Sequence, residues 1–66
     1  MLDKRVVVFQ GNDQPGVQVL REGDWHGGEL RGWYQRDTGW DAMVQYRVGP
    51  GTTYVERVPA DRVRPA

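Results

Sequence analysis

The chain is predicted to be an all-β domain, a small barrel of five or six short strands. Three observations predict it. In the run Trp40–Val48, the residues Trp40, Ala42, Val44, Tyr46 and Val48 alternate with Asp41, Met43, Gln45 and Arg47. Side chains on a strand point to opposite faces in turn, so this run reads as a strand buried on one side. Turn-forming clusters then recur at short spacing, at Glu22-Gly23-Asp24, Arg36-Asp37-Thr38-Gly39 and Gly49-Pro50-Gly51-Thr52. Finally, no apolar stripe of period 3.6 and useful length exists, which leaves little room for helix.

Taken in order, Lys4–Gln10 reads as a first strand because Val6, Val7, Val8 and Phe9 follow one another. The next six residues, Gly11-Asn12-Asp13-Gln14-Pro15-Gly16, form a loop by composition. Val17–Arg21 is a second strand, with Val17 and Val19 on one face. Trp25–Gln35 is a third, loosened by Gly27, Gly28 and Gly32, and glycines inside a strand mark bulges or sharp coiling. Trp40–Val48 and Thr53–Val58 are the fourth and fifth. Pro59-Ala60-Asp61 suits one 3₁₀ turn and Arg62-Val63-Arg64 a short closing strand. The expected organisation is one domain over residues 1–66, with a barrel core over 17–64 and an extra N-terminal strand over 4–10. Closure is the economical way for so many short strands to hide their edges.

Composition bounds the function. A 66-residue chain buries only about 60% of its unfolded surface and is marginally stable. It has no cysteine, so neither disulfides nor thiolate metal sites are available. Support must come from aromatic packing (three Trp, three Tyr and Phe9) or from self-association. Nine cationic and nine anionic residues give zero formal net charge, which argues against a strong non-specific nucleic-acid binder. The cations are Lys4 and eight arginines, a usage that suits a GC-rich bacterial genome. The apolar run Val6–Phe9 is too short for a signal-peptide core or a membrane span, so the expected compartment is the cytoplasm, without membrane partners.

Catalytic and metal chemistry find no foothold. His26 is the only histidine, no serine or cysteine is present, and Thr38, Thr52 and Thr53 fall in turns. Asp37 and Asp41 flank a hairpin turn and read as turn formers. Gly27-Gly28 and Gly49-Pro50-Gly51 lack the helix and Lys-Ser/Thr of a phosphate loop. No cofactor is expected.

The segment Val58-Pro59-Ala60-Asp61-Arg62-Val63 resembles the strand, 3₁₀ turn and closing strand that end SH3-like barrels, and the resemblance extends over roughly Val17 to Arg64. It implies the SH3-like small-barrel fold, which hosts many unrelated activities. The chain lacks the Ala-Leu-Tyr-Asp-Tyr motif and the adjacent tryptophans of peptide-binding SH3 domains, so polyproline recognition is not implied. Locally, Trp25-His26-Gly27-Gly28-Glu29-Leu30-Arg31-Gly32-Trp33-Tyr34 is similar to a stretch of type II dihydrofolate reductases, which are oligomeric SH3-like barrels. That family's pore-forming Val-Gln-Ile-Tyr is matched here only by Thr52-Thr53-Tyr54-Val55, without the glutamine and with the tyrosine displaced. Reductase activity is therefore a secondary alternative.

Two surfaces emerge as candidate sites. With strict alternation, Tyr34 shares the core face with Leu30, and Trp33 shares the outer face with Arg31. Arg47 and Arg57 join that outer face from the next strands, with Trp25 and Tyr54 at the rim. Arginines interleaved with an aromatic can stack planar groups and pair with anions. The competing reading is a solvated sheet face with one tryptophan covered by arginine stems. A second candidate is an aromatic cage of Trp25, Trp40 and Tyr54 near Asp24 and Asp37, as in Tudor-like members of the SH3-like class, where cation–π attraction captures methylated cations. The first strand, apolar on both faces, is expected to be buried or paired with another chain. The expected function is a non-catalytic binding module for a protein partner or for self-association. Weak nucleic-acid binding is the alternative.

Overall fold

A computed structural model describes residues 4–66; residues 1–3 lie outside it. The chain is all-β, with six strands in one antiparallel sheet and two short 3₁₀ turns. The strands are β1 (Val6–Val8), β2 (Gly16–Arg21), β3 (Asp24–Arg36), β4 (Gly39–Gly49), β5 (Thr52–Pro59) and β6 (Val63–Pro65). The 3₁₀ turns cover Gly11–Asp13, inside the expected loop, and Ala60–Arg62, at the expected place before the last strand.

The turns follow from their residues. The β2–β3 hairpin places Glu22 and Gly23 at φ of 52° and 85°, the doubly positive arrangement whose twist matches the strands it joins. Pro50-Gly51 closes β4–β5, and Gly51 has φ of 73°, the position that favours glycine after a proline.

The sheet runs in the order β5-β4-β3-β2-β6, with β1 as an additional partner of β3. One edge of β3 is shared in succession: Asp24–Glu29 pairs with β2, and Gly32–Tyr34 pairs with β1. The changeover falls at a bulge, where the β3–β4 register shifts between Leu30 and Gly32. There the Leu30 N–H donates to the Pro15 carbonyl (2.9 Å) and the Arg31 carbonyl accepts from the Phe9 N–H (3.0 Å). Gly32 is required beside it, because a Cβ at this position would lie 2.5 Å from the Val7 carbonyl oxygen. A Cβ at Gly28 would lie 2.7 Å from Tyr46 Cβ, so β3 approaches β4 closely there too.

The sheet does not close into a barrel. β6 pairs with β2, and no bond joins it to β5. Three residues ending at Pro65, which has no N–H, offer too short a ladder to bridge the gap. The 3₁₀ turn Ala60–Arg62 packs on β2 and β4 instead. On the concave side lie the buried residues Val17, Val19, Leu30, Ala42, Val44 and Tyr46, with Phe9, Trp33, Val48, Tyr54, Val58 and Val63 packed around them.

Candidate binding surfaces

The predicted Arg/Trp face is dispersed by the bulge. Arg31 is the extra residue, exposed and without a β4 partner, so alternation restarts after it. Gly32 then opposes Met43 on the outer side, and Trp33 opposes Ala42 on the inner side, packed against the core. Tyr34 takes the outer side, opposite Asp41. The sequence assignment of Trp33 and Tyr34 is thereby exchanged, because one inserted residue inverts every later side chain.

The other predicted residues separate as well. Arg57, opposite Met43, places its guanidinium 5.0 Å from the Tyr34 ring centroid and donates from Nε to Asp41 Oδ2 at 2.9 Å. Asp41 also holds Arg36 at 3.0 Å, so one carboxylate is shared between two arginines. Trp25 lies beneath Arg64, whose guanidinium stands 3.9 Å from the ring. Arg47 is exposed, opposite Thr53 on β5. Tyr54 faces the concave side next to Tyr46, with ring centroids 5.8 Å apart. The aromatic cage does not assemble. Leu20 and Trp25 are opposite each other on the outer side and Tyr54 is on the inner side, while Trp40 pairs with Gln35 at the far end of the hairpin.

Two further features centre on residues outside the predicted sites, the second of them on the first strand, which the sequence marks as buried or paired with another chain. The first is a polar cluster at the open end of the concave face. Arg21 Nη1 donates to the Tyr46 hydroxyl at 3.0 Å and lies 3.3 Å from Glu56 Oε1. Its guanidinium stands 4.4 Å from the Tyr54 ring, and the Tyr46 hydroxyl donates to Glu56. Burial of the phenol, followed by its bond to Glu56, raises the Tyr46 pKa above its ordinary value. The bond to Tyr46 leads the causes that raise the Arg21 pKa. Beside this cluster lies an open cleft of ≈ 340 Å³ lined by Arg21, Glu22, Asp24, His26, Val48 and Tyr54. The signal was present in the period: Arg21 is in phase with Val17 and Val19, and an inward charge needs a partner. Among the described residues, no group of three or more His, Cys, Asp or Glu gathers as a metal site.

The second feature is β1. Val6, Val7 and Val8 are 57%, 41% and 58% exposed, three of the four exposed large apolar residues among those described. The Gln35 N–H donates to the Arg5 carbonyl and the Phe9 N–H to the Arg31 carbonyl, so Arg5, Val7 and Phe9 are the positions bonded to β3. Antiparallel ladders alternate, and the N–H and C=O groups of Val6 and Val8 therefore point away from β3. Among the described residues no strand pairs with that edge. No helix among them is long and apolar enough to cross a membrane. No known protein family, curated protein or solved structure matches the chain.

Proposed function

We propose that the chain is a non-catalytic protein-binding module whose partner adds an extended strand to the free edge of β1. The observation that carries this reading is the coincidence, at Val6 and Val8, of exposed apolar side chains with outward backbone donors and acceptors. Strand addition uses both at once: main-chain bonds supply affinity, and side chains on alternate faces supply selectivity. Zero net charge favours a protein partner over nucleic acid. The engagement of Arg57 by Asp41, and of Arg64 by the Trp25 ring, favours it further. The strand order, with the 3₁₀ turn before β6, supports an SH3-like reading of the fold.

The test is an amide NMR titration with an extended valine-rich peptide, run beside short single- and double-stranded oligonucleotides at two salt concentrations. Peptide-induced shifts centred on Val6 and Val8 are expected. Shifts at Arg31 and Arg47 that appear only with oligonucleotides and weaken with salt would replace this reading with a nucleic-acid one.

A further inference from the structure

We infer that the strand accepted by β1 is β1 of a second copy of this chain, antiparallel and centred on Val7; the inference rests on the strand-addition reading above. The three edges of the sheet are unequal. β5 carries the inward charge of Glu56, Arg57 and a terminal Pro59, and its ladder with β4 is broken between Arg47 and Gly49. Such features keep edges from pairing. β6 is three residues long and holds Arg64 and Pro65. β1 has none of these guards within Val6–Val8.

Register then selects the occupant. The outward groups sit at Val6 and Val8, so a two-fold axis at Val7 sets Val6 of each copy against Val8 of the other. That closes about four backbone bonds. The same register places Val7 against Val7 on the concave side and Val6 against Val8 on the outer side, so every valine meets a valine. Arg5 of each copy falls opposite Phe9 of the other, where its stem can cover the ring. Shifting the axis by one residue puts Lys4 or Gln10 against a valine instead.

Charge excludes the parallel alternative, which would stack Lys4 and Arg5 of both copies together. The antiparallel pair instead brings that basic end toward the partner's Gln10–Asp13 turn, which carries a carboxylate. Lys4 is already 3.3 Å from Asp37 of its own chain, leaving Arg5 as the cation facing the new neighbour. Zero net charge removes long-range repulsion between copies. An interface this short belongs to the weak class that buries less than about 1,200 Å² in total.

The experiment is sedimentation equilibrium of the chain from about 10 μM to about 1 mM, a range that spans weak association, joined to amide exchange on the same samples. The mass is expected to rise from 7.6 kDa toward twice that value, with exchange slowing at Val6 and Val8 as concentration increases. Val8→Pro removes one outward N–H and leaves the β3 bonds of Arg5, Val7 and Phe9 in place, since proline is tolerated where an edge N–H faces solvent. It should stay monomeric throughout with unchanged Phe9 and Gln35 amides. Val7→Lys, which sets like charges across the axis, should behave the same way. A wild-type mass that stays monomeric at the top concentration, or a dimer that survives both variants, overturns the inference. If the monomeric wild type still binds the valine-rich peptide at β1, the second copy is ruled out and strand addition stands. If the peptide also fails, both fall.

Discussion

Tyr46 packs its ring among Val19 and Val44 and delivers its hydroxyl to two ionised groups at the rim, Arg21 and Glu56. Removing the hydroxyl leaves those two side chains 3.3 Å apart and still able to pair. Tyr46→Phe is therefore expected to cost about 1.5–3 kcal/mol, the range for hydrogen bonds to charged groups, in urea denaturation near neutral pH. The raised pKa adds a pH signature. Because the folded value exceeds the unfolded one, this group's contribution is fully present below the ordinary tyrosine value of about 10 and is lost as pH rises through the folded value. The stability gap between wild type and Tyr46→Phe should narrow above that point, with the Tyr46 phenolate absorbance emerging above the ordinary tyrosine value. Trp33 invites a parallel comparison. It is half-buried against the core, so Trp33→Ala should cost about 2 kcal/mol, roughly half the loss for a fully buried ring. Arg31→Ala and Arg47→Ala, at exposed positions, should change stability by less than about 0.5 kcal/mol. Equal losses at Trp33 and Arg31 would contradict the inner placement of Trp33.

At the scale of elements, the strands and turns were legible because each depends on a few adjacent residues. The alternation of Trp40–Val48 is β4, the Pro-Gly pair is the β4–β5 turn, and Pro59-Ala60-Asp61 foretells the 3₁₀ turn Ala60–Arg62. The bulge was not legible. Gly27, Gly28 and Gly32 signal irregularity somewhere in β3, yet they do not say that Arg31 is the residue left over, and the faces of Trp33 and Tyr34 hang on that one position. The period marks Arg21 as inward but does not name its partner, because Glu56 on β5 reaches it only across β4 and β3 of the folded sheet. The bulge makes a sharp prediction. Deleting Arg31 removes the bulge, so that Gly32 follows Leu30 directly and stays opposite Met43, with Trp33 still opposite Ala42 on the inner side. It also removes the carbonyl that accepts the Phe9 N–H. The variant should lose the exchange protection of the Phe9 amide while keeping the near-ultraviolet dichroism of an inward Trp33, whereas a simple Arg31→Ala change keeps both. A deletion variant whose Phe9 amide stays protected would mean that β3 does not need its extra residue.

The whole molecule measures 44 × 27 × 18 Å, elongated by the long β3–β4 hairpin, and its accessible surface is 4880 Å². A compact monomer of this mass exposes about 4,300 Å². Among the described residues only six apolar side chains are buried in the core, and no disulfide compensates, so the fold has little stability to spare. Under those conditions association and folding are linked: a partner that binds only the native state raises the melting temperature by mass action. If β1 is where a second copy docks, the melting temperature should climb with protein concentration. The scale for a domain of this size is about 4–8 °C for each kcal/mol of added stability. Val8→Pro should melt at one temperature across the same range, because its outward donor is gone while its β3 contacts remain. Glu56→Ala offers a contrast at the other edge. It removes the partner of Arg21 and lowers stability at every concentration alike, without changing the slope. A concentration slope in wild type that Val8→Pro abolishes and Glu56→Ala preserves would locate the coupling at β1. A slope unchanged in Val8→Pro would place it at some other surface.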